Sequence, residues 1–161
     1  QDATSRITNT VDLLRVVSGV DGWSPRRTTI GDICEVGMNR LSGVIMIHLD
    51  RLKRDYGVCQ VMGHPSLYAH AVDLIESALH QRKLASSNLS VLQDEDHCHL
   101  IWESVSPSQP ATDRPDTQTL DLEADFEDIQ KEIDYLLAHY KARFETRDFN
   151  LHLLLPRPSG R

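Results

Sequence analysis

The strongest constraint on the fold is a strict alternation of residue types between residues 97 and 103. Successive side chains of a β-strand point to opposite faces, so the alternation would place two imidazoles and a carboxylate on one face and an indole on the other. The first face carries His97, His99, Ile101 and Glu103, and the second carries Cys98, Leu100 and Trp102. Residues 89–93 also read as a strand and residues 94–96 as a polar tip, so we expect a β-hairpin.

Amphipathic helices are expected on both sides of this hairpin. Residues 67–84 show helical spacing, and Ser66 is placed to cap their first turn. The clearest helical pattern runs from Phe126 to Phe144, with carboxylates in its first turn and basic residues in its last turn, which suits the helix dipole. A shorter helix is expected over residues 7–18.

The most apolar stretch, residues 29–56, predicts two further helices. Glycine weakens a helix by about 1 kcal/mol relative to alanine, so a break is expected near Gly37. Residues 58–62 and 149–155 are expected as short strands.

These elements predict an α+β protein in three parts. Residues 1–105 form a helical domain that ends in the hairpin, and the order helix, helix, polar break, hairpin resembles that of a winged helix. Residues 106–118 contain three prolines among polar residues, which predicts a flexible linker or loop. Residues 119–161 are expected as a long amphipathic helix and a short strand that pack on the first part or on a partner.

Charge and composition restrict the function. The 24 acidic and 17 basic side chains give a formal net charge of −7, and an acidic chain repels the phosphate backbone. The helix before the hairpin carries Asp73 and Glu76, and the hairpin tip is acidic, so nucleic-acid binding is disfavoured. The three cysteines form no Cys-x-x-Cys pair, which favours a reducing intracellular compartment. No apolar run reaches the length of about 20 residues that a membrane span needs, so we expect a soluble protein.

The histidine face of the hairpin is the candidate metal site. His97, His99 and Glu103 are ligand types for zinc or another first-row divalent metal. The spacing His-x-His-x3-Glu resembles the first metal motif of the cupins, but Val91 stands where cupins have a glycine and no second motif follows. The strand with the helix and strand after it also resembles the dimerisation half of the ferric uptake regulators, in which such histidines bind metal, although the paired cysteines of that family are absent.

Complete catalytic motifs are absent from the sequence, with no nucleophile elbow, phosphate-binding loop or zinc-protease motif. We therefore expect a non-catalytic protein-interaction or assembly module, acting on a protein partner or as a homo-oligomer. The first alternative is a metal-binding sensor or metal-dependent enzyme that uses the histidine face. The second alternative is a winged-helix nucleic-acid binder.

Overall fold

A four-stranded antiparallel sheet is the centre of the fold. The computed structural model describes residues 26–41, 43–108 and 121–158. In chain order the elements are β1 (Arg26–Thr29), α1 (Ile30–Arg40), α2 (Val44–Tyr56), β2 (Gln60–Gly63), α3 (Pro65–Gln81), β3 (Leu84–Ala85), β4 (Asn88–Gln93), β5 (His97–Glu103), β6 (Ser106–Pro107), α4 (Leu122–Asp125), α5 (Glu127–Leu136), a 3-10 helix (Ala138–Tyr140), β7 (Arg143–Arg147) and β8 (Asn150–Pro156). The central sheet has the strand order β4-β5-β8-β7. The fold is therefore α+β, as the sequence predicts.

The hairpin predicted from the alternation is present. β4 and β5 pair antiparallel, with Leu89 opposite Trp102. Trp102 is 0% exposed, so its indole lies in the core. The prediction of an extended segment with an inward indole is confirmed.

The C-terminal strands extend this hairpin into one sheet. β8 pairs antiparallel with β5, and Ile101 lies opposite His152. β8 also pairs with β7, and the short turn between them includes Asp148 at a φ of 53°. The strand β5, which carries the candidate histidines, is therefore an interior strand with a neighbour on each side.

The core lies between the sheet and the helices α1, α2, α3 and α5. α3 is amphipathic and contacts both α1 and α5, and its Glu76 reaches the indole of Trp102 on β5. The buried residues of α3 are Leu67, Tyr68, Ala69, Ala71, Val72, Ile75, Ala78 and Leu79. Burying such side chains stabilises a fold by about 25 cal/mol per Å² of apolar surface, so this helix holds the sheet and the other helices together.

The long helix predicted from Phe126 to Phe144 is wrong beyond residue 136. α5 ends at Leu136 and the 3-10 turn follows. Lys141 then has a φ of 57°, a left-handed conformation through which an α-helix cannot continue. Phe144 lies in β7 and, like Tyr140, is buried. Their apolar spacing continues the helical pattern because both face the same core.

The other predicted elements are present with shifted boundaries. The apolar stretch does form two helices, but the break lies at Gly43, at a φ of 86°, rather than near Gly37. The helix predicted over residues 67–84 begins at Pro65 and ends at Gln81, with His64 rather than Ser66 as its N-cap. Proline suits the first helical position because its missing N–H would have no partner there.

Two of the predicted segments extend beyond the described residues. The helix expected over residues 7–18 lies wholly outside them. Most of the linker expected over residues 106–118 does as well, but its first residues form β6, which pairs with β3.

Side chains from the helices bind backbone groups of both edge strands. The guanidinium of Arg51, on α2, donates a hydrogen bond to the carbonyl of Leu89 on β4. The amide of Phe144, on β7, donates to Oδ1 of Asp134 on α5 at 3.2 Å. Unpaired backbone groups on a sheet edge attract further strands, so these contacts protect the sheet on both sides.

Candidate functional site

The three predicted metal ligands lie on one extended strand but differ in their surroundings. His99 is only 3% exposed, whereas His97 and Glu103 are half-buried. The rings of the two histidines lie 6.4 Å apart, and Glu103 accepts a hydrogen bond from the amide of Asn88 at 3.1 Å. Among the described residues, no group of three or more His, Cys, Asp or Glu is arranged to hold a metal ion. The metal site stays a prediction.

His99 belongs instead to a hydrogen-bonded chain with Asp94 and His152. Its Nε2 lies 2.9 Å from Oδ2 of Asp94, and its Nδ1 lies 3.1 Å from Nδ1 of His152. One consistent arrangement has Nδ1–H of His152 donating to His99, and Nε2–H of His99 donating to Asp94. Burial lowers the pKa of His152, and the charge of Arg147 adds to this effect. The neutral form of His152 is therefore favoured in the folded protein.

Asp94 also fixes the hairpin tip. Its Oδ1 accepts hydrogen bonds from the backbone amides of Asp96 at 2.9 Å and His97 at 2.7 Å. The hydrogen bond with His99, followed by the one from the His97 amide, lowers the pKa of Asp94 to about 2. The tip therefore has a defined shape at neutral pH.

Cys98, between the two histidines, is not an activated thiol. It is buried on the inner face of the sheet, and burial raises its pKa to about 12. Because the thiolate is the reactive form of cysteine, a nucleophilic role for Cys98 is disfavoured.

A cavity of about 570 Å³ opens where β5 begins and β8 ends, and it is the strongest candidate for a binding site. We call it the basic cavity. Its lining residues are Arg27, Met62, Asp96, His97, His139, Tyr140, Lys141, Pro156, Arg157 and Pro158. They come from β1, β2, the hairpin tip, the segment between α5 and β7, and the end of β8.

The charge of the basic cavity is opposite to that of the whole chain. Arg27, Lys141 and Arg157 are three cations against the single carboxylate of Asp96, a net charge of +2 with neutral histidines. Within the described part of the chain, none of these three cations forms an ion pair with a carboxylate. Their charge is therefore available to a ligand.

Backbone contacts position Arg157, and a backbone turn positions Lys141. The Nη1 of Arg157 donates to the carbonyl of Asp94 at 2.7 Å, and its amide donates to the carbonyl of Asp96 at 2.9 Å. Lys141 ends the 3-10 turn, and its backbone has a left-handed conformation. The hairpin tip and this turn therefore bring cations from distant parts of the chain to one opening.

Buried rings support the wall formed by β2. Tyr140 is 2% exposed, and its ring meets that of His64 edge-on at 5.6 Å between centroids. The hydroxyl of Tyr68 donates to the carbonyl of Met62. Gly63 has a φ of 144°, and a Cβ there would collide with the ring of Tyr68. The wall is thus built on a packed aromatic layer.

A second cavity, of about 580 Å³, has the opposite character. Its titratable lining residues are four carboxylates, Asp121, Glu123, Glu127 and Asp134, and the single cation Lys131. Lys131 already pairs with Glu127 at 3.4 Å. This cavity therefore has a net negative charge, in contrast to the basic cavity.

Sequence reasoning identified His97 but missed the rest of the basic cavity. Arg27, Lys141 and Arg157 belong to separate segments, and no spacing pattern links them. Arg27 lies on β1, a strand that the sequence did not predict. Only the tertiary fold brings these cations together.

Comparisons with known proteins give the chain no family. No protein-family model matches it, and no curated protein matches it. Across the described residues, no helix has both the length and the hydropathy needed to cross a membrane.

Proposed function

We propose that this chain is a non-catalytic protein-interaction module that binds an acidic segment of a protein partner in the basic cavity. The observation that carries the proposal is a cavity of about 570 Å³ with a net charge of +2 in a chain whose net charge is −7. Electrostatic complementarity of this kind steers partners and sets their register.

The helix α5 supports this location because the apolar stripe predicted for it packs in the core. The stripe of α5 that could have docked a partner is directed into the core, where Ile129, Ile133 and Leu137 are buried. A surface stripe is thus not available on that helix, while the basic cavity is open to solvent.

The composition of the cavity favours binding over catalysis. Its lining has no serine, threonine or cysteine, so the phenol of Tyr140 is its only hydroxyl or thiol among the described residues. The phenol of Tyr140 is a poor nucleophile, because burial raises its pKa. A cation held by backbone contacts, as Arg157 is, suits recognition of a charged group.

Calorimetry with a short glutamate-rich peptide tests the proposal. The wild-type chain should bind it, and the affinity should fall as salt is raised. Lys141→Gln should weaken binding about fivefold, equal to roughly 1 kcal/mol, and Arg27→Gln should act in the same direction. Lys131→Gln removes a cation from the other cavity and serves as the control. Binding that is unaffected by Lys141→Gln and Arg27→Gln, or no binding of any anionic peptide at low salt, would contradict the proposal.

A homo-oligomer, the other partner that the sequence suggests, stays a prediction. Sedimentation of the full chain tests it directly, because a concentration-independent monomer would exclude it.

A further inference from the structure

The lining of the basic cavity combines apolar residues with charged ones. The apolar part consists of Met62, Tyr140, Pro156 and Pro158, and the cations lie among them. A site for a simple inorganic ion would need only the charged and polar residues of this lining. The ligand therefore has an apolar part as well as a charge.

The size of the cavity leads to the same conclusion. Pockets for organic ligands measure about 300–1,000 Å³, and this one measures about 570 Å³. A bare tetrahedral oxyanion would leave most of that space to water. A side chain or small molecule with a ring would fill it.

The particular apolar residues favour a flat aromatic ring over an aliphatic chain. The thioether of Met62 makes favourable contacts with aromatic rings, and the buried ring of Tyr140 supports the wall behind it. The guanidinium groups of Arg27 and Arg157 can stack on a ring face and still bind an anion at its edge.

The charge count favours a doubly charged anion. Three cations and the carboxylate of Asp96 leave a net +2, and a phosphate monoester carries about −1.5 to −2 at pH 7. A carboxylate would neutralise only half of this charge. Planar guanidinium groups also bind phosphate oxygens in pairs.

We infer that the basic cavity binds an aromatic ring carrying a phosphate group, presented as a phosphorylated tyrosine side chain of the partner. This inference rests on the proposed function, because it names the chemical group by which the partner is recognised. The phosphate lies among Arg27, Lys141 and Arg157, and the ring packs against Met62 and the prolines.

Calorimetry on the full chain with phenyl phosphate, inorganic phosphate and a phosphotyrosyl peptide tests this inference. Phenyl phosphate should bind more tightly than inorganic phosphate by about tenfold or more, because the ring buries apolar surface. The phosphotyrosyl peptide should bind at least as tightly as phenyl phosphate, and the same peptide without phosphate should bind much more weakly.

Two variants separate the ring from the phosphate. Lys141→Gln should weaken both phosphate compounds about equally, whereas Pro158→Ser should weaken phenyl phosphate and leave inorganic phosphate unchanged. Lys131→Gln is again the control and should change neither.

Different results would overturn the proposed function and the inference of a phosphorylated tyrosine. Equal affinity for phenyl phosphate and inorganic phosphate would overturn the aromatic ligand and leave an anion site. Binding of phenyl phosphate without the phosphotyrosyl peptide would overturn the protein-borne source. Binding of the glutamate-rich peptide alone would overturn the phosphate and keep the proposed function, and no binding of any anion would overturn both.

Discussion

The indole Nε1–H of Trp102 donates a 2.7 Å hydrogen bond to Oε2 of Glu76 and so joins the C-terminal end of β5 to α3. The indole is fully buried and the carboxyl is half-buried. Burial raises the pKa of Glu76, and the bond from Trp102 opposes this rise. A polar contact therefore fixes the register between the sheet and its main helix.

Trp102→Phe should destabilise the protein by about 2–3 kcal/mol, because it removes this hydrogen bond and leaves a void in the core. Urea unfolding followed by circular dichroism measures the loss. Glu76→Gln is the matched control, since its amide oxygen still accepts the bond and the cost should stay within about 1 kcal/mol. A Trp102→Phe protein as stable as wild type would contradict this prediction.

Asp94→Asn should remove an acid-sensitive part of the stability. The pKa of Asp94 is lowered from 3.8 to about 2 in the folded protein, so its contribution is fully present above the unfolded value and is lost as the pH falls through the folded value. Unfolding by urea between about pH 4 and pH 2 should therefore show a shallower pH dependence in the variant. Glu95→Gln, at the same tip, should behave like wild type; identical slopes for Asp94→Asn and wild type would refute the prediction.

His152→Gln should reduce the loss of stability at mildly acidic pH. The folded pKa of His152 lies below its ordinary value of 6.5. Its contribution is therefore complete above pH 6.5 and is lost as the pH falls through the folded pKa, because the unfolded chain takes up the proton first. Urea midpoints at about pH 7.5 and about pH 5.5 give the comparison. The remaining loss belongs in part to His48 and His70, whose pKa values burial also lowers. The prediction would be wrong if the difference between the two midpoints were the same in the variant as in the wild type.

Zinc titration tests the predicted metal site. If His97, His99 and Glu103 bind a divalent metal, the purified chain should take up zinc or cobalt stoichiometrically, and His97→Ala should abolish uptake. His80→Ala, at an exposed histidine outside the hairpin, is the control. Lack of uptake at saturating zinc would remove the metal-dependent alternative.

The sequence predicts the hairpin and α3 because each has one buried face and a regular period. Trp102 alternates with the histidines as a strand requires. The same reasoning fails at Phe144, because a buried residue in a following strand can continue a helical spacing by coincidence. Only the left-handed backbone at Lys141 separates the two elements, and lysine gives no local signal for that conformation.

The site was harder to predict than the fold. The contact between His99 and His152 depends on the pairing of β5 with β8, and no local pattern specifies which strands become neighbours. The cations of the basic cavity are likewise joined by tertiary structure alone. Single-residue chemistry pointed to His97, but the three cations of the cavity came from three other segments.

The occupied edges of the sheet bear on how copies of this chain can meet. Growth of a continuous β-ribbon from one molecule to the next would require an incoming backbone to displace Arg51 on one side or Asp134 on the other. Glu145 adds ion pairs with Arg143 and Arg147 along the second side, and charged edges resist stacking into fibrils. At high concentration, copies of this protein should therefore associate reversibly rather than polymerise through their sheet edges.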